Sequence, residues 1–184
     1  VCSSDLEKSR DFTLTLEVLP QWLPPPSEWK FHLDLWQNPY AVARVAGVEP
    51  WSEAHWEALY PVMKMLANAG QKVITATLNK RPWNGQTEDA FDSMIGWTRK
   101  NDTAWVYDYS VFDRWVEFMM DLGIRSQINC YSMVPWGNFL FYYDEEQGRE
   151  VKVSAAPGTP EYAALWKPFL LDFIRHLEEK GWRE

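Results

Sequence analysis

The chain has 184 residues, 46% of them hydrophobic and 24% charged, the balance of a globular protein, and no apolar run approaches the roughly 20 residues that cross a bilayer. Its net charge of −8 argues against a polyanionic partner such as nucleic acid, which is bound through clustered Lys and Arg. Twelve Trp, eight Tyr and nine Phe are the unusual count: such rings either fill a core or present faces on which the C–H groups of a sugar can pack.

Residues Val1-Cys2-Ser3-Ser4-Asp5-Leu6 read as an adaptor-like artefact and are set apart from the fold. Cys130 is then the one cysteine left, so no internal disulfide is expected. Phe12, Leu14, Leu16 and Val18 alternate with polar residues, which predicts a half-buried strand. Pro24-Pro25-Pro26 stiffens the stretch after it into a spacer. Residues 7–28 are therefore read as the last strand of a preceding β-sandwich plus a Pro-rich linker.

From residue 29 to 184, strand-like and helix-like stretches alternate three times, the pattern of a parallel sheet with crossover helices in an α/β domain. Strands are expected near 30–36, 72–78 and 125–131. The first helix has Ser52 as N-cap, a stripe of Trp56, Leu59, Tyr60, Met63 and Leu66, a kink at Pro61, and Gly70 just past its end. In the second, Ser110 and Asp113 have capping-box spacing and Phe112, Trp115, Val116, Met119 and Leu122 form the apolar face. The third begins at Thr159-Pro160, carries Tyr162, Leu165, Trp166, Phe169, Phe173, Ile174 and Leu177, bends at Pro168, and ends at Gly181. Helices return to strands through one or two residues, whereas the links 79–109 and 132–158 are long and aromatic. Elaboration thus gathers beyond the carboxyl ends of the strands, where β/α proteins build their sites.

Parallel strands covered on both sides usually read as continuous Val, Ile and Leu, and these do not. One face carries Phe31, Leu33, Leu35, Ile74, Ala76, Leu78, Ile128 and Cys130; the other carries His32, Asp34, Trp36, Thr75, Thr77, Asn79, Gln127, Asn129 and Tyr131. An unpartnered buried polar group costs about 1–3 kcal/mol, so the second face must be hydrogen-bonded within itself, wet, or bound to a polar ligand. Thr75, Thr77 and Gln127 suit an internal network. Asp34, Trp36, Gln37, Asn79, Asn129 and Tyr131, toward the strand ends, are candidate substrate contacts, joined by Trp83 and Trp136 from the links. His32 and Asp34 share a face without third and fourth ligands at a recognisable spacing, so no metal or other cofactor is assigned. His55 and His176 are read as surface residues, and Asp144-Glu145 as the solvated tip of a hairpin.

Several strings together resemble the catalytic domain of glycoside hydrolase family 123. They are Leu33-Asp34-Leu35-Trp36-Gln37-Asn38-Pro39, Ala69-Gly70-Gln71-Lys72, Arg81-Pro82-Trp83 with Gln86-Thr87, Tyr131-Ser132-Met133 with Pro135-Trp136, and His176-Leu177 with Lys180-Gly181-Trp182. The resemblance implies a partial (β/α)8 TIM barrel holding about the first three βα units, since a whole one takes about 250 residues. It also implies a retaining, substrate-assisted β-N-acetylgalactosaminidase that acts on a glycan outside the cytoplasm, in the periplasm or beyond the cell. In that mechanism a Glu protonates the leaving oxygen, and a neighbouring Asp orients the 2-acetamido group that attacks the anomeric carbon. The Asp-Glu pair is expected beyond Glu184, so no catalytic residue is assigned here and these residues alone are expected to be inactive. A non-catalytic carbohydrate-binding β/α barrel is the alternative, with Trp83, Trp97, Trp105 and Trp136 serving binding only.

Overall fold

The structure, a computed structural model, describes residues 12–183. The adaptor-like residues 1–6 lie outside that range. Residues 12–18, expected as a strand, take no regular structure, and Phe12, Leu14, Leu16 and Val18 are all exposed. Among the described residues no sheet is offered to their alternating face.

The α/β unit begins after a short 3-10 turn at Pro26–Glu28. Helix α1 (Pro39–Ala46) is followed by α2 (Glu53–Asn68), strand β1 (Val73–Thr77), a hairpin of β2 (Gly96–Arg99) and β3 (Trp105–Asp108), and helix α3 (Ser110–Asp121). Strand β4 (Gln127–Tyr131), a second hairpin of β5 (Phe139–Asp144) and β6 (Arg149–Ser154), and helix α4 (Pro160–Lys180) complete it. Strands β1 and β4 pair in parallel, Val73 opposite Gln127 through Thr77 opposite Tyr131, with α3 as part of the crossover.

The helix ends follow local chemistry. Ser52 accepts from the His55 N–H and Thr159 from the Tyr162 N–H, both as expected of N-caps. Asn38 caps α1, a helix absent from the sequence reading, by accepting from the Ala41 N–H at 3.1 Å. Ser110 is the first residue of α3 instead of its cap; the Asp108 carboxylate accepts its N–H at 2.9 Å. Gly181 ends α4 in the left-handed conformation at φ 69°, where a side chain would be strained.

The expected first strand, 30–36, is not a ladder. Only Leu33 forms a bridge, parallel to Gln71, and two buried amides replace the rest. Gln37 Oε1 accepts from the Thr75 N–H at 2.7 Å, while its Nε2 donates to the Leu35 and Val73 carbonyls. Gln71 Oε1 accepts from the Leu35 N–H at 3.0 Å and its Nε2 donates to the same two carbonyls. Side-chain amides carry the same donor and acceptor pair as a peptide, so they satisfy strand backbone at a wider separation than a ladder permits.

The long links fold into a second sheet of order β3-β2-β5-β6, mixed in direction, with β2 and β5 parallel. Its inner face carries Trp97, Trp105, Tyr107, Leu140 and Tyr142 and meets α4 and the outer side of β1 in one core. Trp97 stacks on Phe169 with centroids 4.2 Å apart and donates its indole N–H to the Leu78 carbonyl at 2.7 Å. Every predicted apolar residue of α3 is buried; on α2, Tyr60 is exposed.

Two polar assignments change. Asp144 is fully buried, not a solvated tip: its Oδ2 accepts from Arg99 Nη2 at 2.7 Å and its Oδ1 from the Gln147 N–H at 2.9 Å. The Gln147 N–H, then the Arg99 guanidinium, hold its carboxyl below the ordinary carboxylate range. Glu145, beside it, stays at the surface with Lys100. His55 is likewise buried. Its Nδ1 accepts from the Trp51 N–H at 2.8 Å, so Nε2, 2.9 Å from the Pro39 carbonyl, must carry the proton. His176 stacks on Tyr109 and meets Asp113 at 2.6 Å, joining α4 to α3.

Candidate functional site

Trp36, Trp83 and Tyr131 come from three separate segments and converge at the carboxyl ends of the strands. Trp36 stacks on Trp83 with centroids 5.4 Å apart and planes at 25°; Tyr131 closes the triangle at 4.9 Å from Trp36 and 5.1 Å from Trp83. Each arrives for a local reason. Trp36 precedes Gln37, whose amide anchors the segment to β1; Tyr131 is the last residue of β4; Trp83 sits in a turn whose Arg81 N–H is taken by the Phe91 carbonyl at 2.7 Å. Phe91 backs Trp83 edge-on at 4.8 Å, and Tyr40 in turn meets Phe91 edge-on at 5.4 Å.

The three rings differ in access, and that divides their labour. Trp83 is buried and Tyr131 half-buried, whereas Trp36 is 56% exposed and offers a ring face to solvent. A groove of about 270 Å³ runs beside them, lined by Trp36, Trp83 and Phe91 with Gln37, Asn38, Gln86 and Thr87. An aromatic wall facing amide and hydroxyl groups suits a ligand with both C–H faces and hydroxyls.

Behind the wall, polar side chains bond to one another. Gln127 donates to Asn129 Oδ1, and Asn129 Nδ2 donates to Asp34 Oδ2 at 3.2 Å. Asp34 Oδ1 is buried without a partner among the described residues. Burial, and next the Asp34 charge, push the Tyr131 phenol up, while a hydrogen bond from Asn129 opposes them. Asn79 lies beneath the surface, fully buried, donating to the Ser132 carbonyl at 3.1 Å and holding the turn after Tyr131. Thr75 and Thr77 belong to the internal network, Thr77 donating to the Asp92 carbonyl at 2.7 Å. Burial pushes the Cys130 thiol up to about 12, which leaves it protonated and unreactive.

Of the eight expected contacts, Trp36, Trp83 and Tyr131 form the wall and Gln37 lines the groove. Asp34 and Asn129 stand behind as a pair and Asn79 lies below. Trp136 is half-exposed on the next loop, tied to the Pro82 carbonyl by its N–H at 2.9 Å. Asn38, Phe91 and their groove partners Gln86 and Thr87 lay outside the eight; the Pro-Trp and Asn-Gly pairs at 82–85 mark a turn, but nothing in the sequence aims it at Trp36. No group of three or more His, Cys, Asp or Glu among the described residues is arranged to hold a metal ion.

Known proteins share this fold. A family 123 glycoside hydrolase from Clostridium perfringens, whose structure details glycolipid glycan hydrolysis, superposes with a TM-score of 0.84 at 36% identity over 90% of this chain. The chain spans 30% of that protein's length. No curated protein sequence matches. The sequence does match the family described as glycoside hydrolase 123, catalytic domain, over residues 36–184, taking in every residue of the aromatic wall, and on that ground the chain belongs to glycoside hydrolase family 123.

Proposed function

We propose that these residues are the opening part of a (β/α)8 barrel glycosidase that removes a terminal β-linked N-acetylgalactosamine from a glycan outside the cytoplasm, by the retaining, substrate-assisted route. The observation that carries the reading is the half-exposed Trp36 face backed by Trp83 and Tyr131 at the carboxyl ends of the strands. A ring face held rigidly there packs against one side of a sugar and fixes the plane in which the anomeric carbon must be attacked. Gln86, Thr87 and Asn38 stand where ring hydroxyls would need partners. Likeness to an enzyme of glycolipid glycans supports a glycan substrate.

The acid and the carboxylate that orients the acetamido group are assigned to a neighbouring Asp and Glu beyond Glu184. Asp34, two residues before Trp36, is engaged with Asn129 and is given no part in the chemistry. The present residues therefore bind and orient, and the proton transfers belong to the later strand.

The test is hydrolysis of p-nitrophenyl β-N-acetylgalactosaminide by the complete protein. Trp36→Ala is expected to lower kcat/KM about tenfold, since a well-placed ring contact contributes about 0.5–1.5 kcal/mol beyond its buried area. Residues 7–184 alone are expected to release nothing above the no-enzyme control. Turnover by that segment, or a Trp36→Ala enzyme as active as its parent, would overturn the assignment.

A further inference from the structure

The second sheet has two unlike faces. Cross-strand register puts Thr98 of β2 beside Tyr143 of β5, Tyr143 beside Glu150 of β6, and Phe141 beside Lys152, all on the side turned away from the core. Phe139, Phe141 and Tyr143 form a stripe on this face, about 13 Å from end to end at the rise of a strand. Tyr143 is 46% exposed, Lys152 Nζ lies 3.6 Å from the Phe139 ring centroid, and Lys80 Nζ lies 5.6 Å from that of Phe141. A solvent-facing strand that carries three aromatics in register, with cations seated on two of them, is an unusual use of large apolar side chains.

A cleft of about 290 Å³ opens beside the stripe, with Ser93, Thr98, Phe141, Tyr143, Lys80 and Glu150 among its lining. The Lys80 ammonium and the Glu150 carboxylate, paired at 2.8 Å, hold a donor and acceptors at its rim. One anchored ridge, residues 91–93, lies between the cleft and the aromatic wall. Phe91 packs on Trp83; Asp92, next in the chain, accepts from Thr77 Oγ1 at 2.7 Å and Tyr40 OH at 3.2 Å through its carbonyl; and Asp92 and Ser93 line the cleft.

We propose that this outward face is a second carbohydrate subsite, holding the part of an oligosaccharide that lies beyond the sugar seated at the Trp36 wall. The proposal rests on the glycosidase reading and adds that the substrate is a chain of several sugars. A protein partner fits less well, because interface cores are depleted of Lys, Asp and Glu, and Lys80, Asp92 and Glu150 line the cleft itself. Its volume sits near the lower end of small-ligand cavities, which suits a single sugar unit. The Tyr143 face takes the C–H side of that unit while Thr98, Ser93 and the Lys80–Glu150 pair meet its hydroxyls.

Two variants of the complete protein test this: Tyr143→Leu, which keeps apolar bulk on the strand and removes the ring face, and Thr98→Arg, which fills the cleft. Each is assayed on p-nitrophenyl β-N-acetylgalactosaminide and on a tetrasaccharide ending in the same β-linked sugar. Both should lower kcat/KM on the tetrasaccharide about tenfold, chiefly through KM, and leave the aryl glycoside within twofold. Equal losses on the two substrates would show a merely structural role, and no loss on either would remove the subsite; both results overturn the proposal. If the unaltered protein cleaves neither substrate, the glycosidase reading has failed separately. Calorimetric titration with the tetrasaccharide then decides: binding weakened about tenfold in both variants supports the subsite, and unchanged or absent binding overturns it.

Discussion

Replacing Gln37 by Leu in the complete protein isolates the amide that stands in for the first ladder. Gln37 is 2% exposed, and its Oε1 accepts from the Thr75 N–H at 2.7 Å. The Leu35 and Val73 carbonyls keep a second donor in Gln71 Nε2, at 3.1 and 2.8 Å, so the change orphans one buried donor and not three groups. One such group costs about 1–3 kcal/mol, which urea unfolding resolves. Gln37→Glu is the sharper probe: it keeps the acceptor for Thr75 but turns a carboxylate oxygen toward two carbonyls. Burial and that repulsion raise the folded-state pKa above the unfolded value of about 4.3, so the variant approaches native stability below that pH and loses it as pH rises through the folded value. At pH 7 it should be less stable than Gln37→Leu. A Gln37→Leu protein within about 0.5 kcal/mol of its parent, or a Gln37→Glu protein whose stability ignores pH, would show that the amides are incidental to strand spacing.

Three further outcomes follow from the same structure. Asp144 has its carboxyl held low by Gln147 and Arg99, so the stability it contributes is present above the unfolded pKa of about 3.9 and is lost as pH falls through the folded value; Asp144→Asn should unfold at lower temperature at pH 7 and lose that acid-side dependence, with KM on an aryl glycoside unchanged. His55 has its pKa lowered chiefly by burial, so its contribution is complete above the unfolded value of about 6.5 and falls away as acid protonates the folded ring; His55→Gln should flatten the melting temperature between pH 7 and 5. Residues 7–184 expressed alone should bind ANS and self-associate, because Phe31 and Leu35 are 67% and 50% exposed and the outer edge of β4 has no strand partner among the described residues; a monodisperse monomer in sedimentation would contradict this.

What the sequence made legible was whatever one element decides by itself. The α3 stripe from Phe112 to Leu122, the Ser52 and Thr159 caps and the β1 and β4 strands each follow from a local period or a capping side chain, and each stands in the structure. The segment 30–36 failed because its alternation is that of a strand while its hydrogen bonds come from Gln37 and Gln71, and no periodicity reveals a side chain acting as backbone. Asp144 failed for a related reason. Next to Glu145 in a turn it reads as solvated, and only the parallel pairing of β5 with β2 brings Arg99 over it. For the site, the aromatic residues were found because Trp36 and Tyr131 end strand-like runs; their mutual contact, and the part played by Phe91, depend on where a Pro- and Gly-containing loop returns.

The second sheet ties these observations to function. A β/α scaffold fixes only the strand ends, and the long links 79–109 and 132–158 could have remained irregular. They instead pair with each other through β2 and β5, so the loop after β1 is held by the loop after β4. The inner face of that sheet gives the core Trp97, Leu140 and Tyr142, which makes the sheet's position as rigid as the core. Rigidity passes outward from there, because Met94 donates its N–H to the Thr77 carbonyl at 2.9 Å and the adjoining residues Phe91 and Asp92 reach Trp83 and Tyr40. A misplacement of about 1 Å in a binding wall costs an enzyme roughly a hundredfold in rate, and the packed sheet braces the Trp36 wall against such a shift. The aromatic wealth of this chain therefore divides by depth: the inner rings set the position of the links, while Trp36 and Tyr143, at 56% and 46% exposure, reach solvent beside the two grooves.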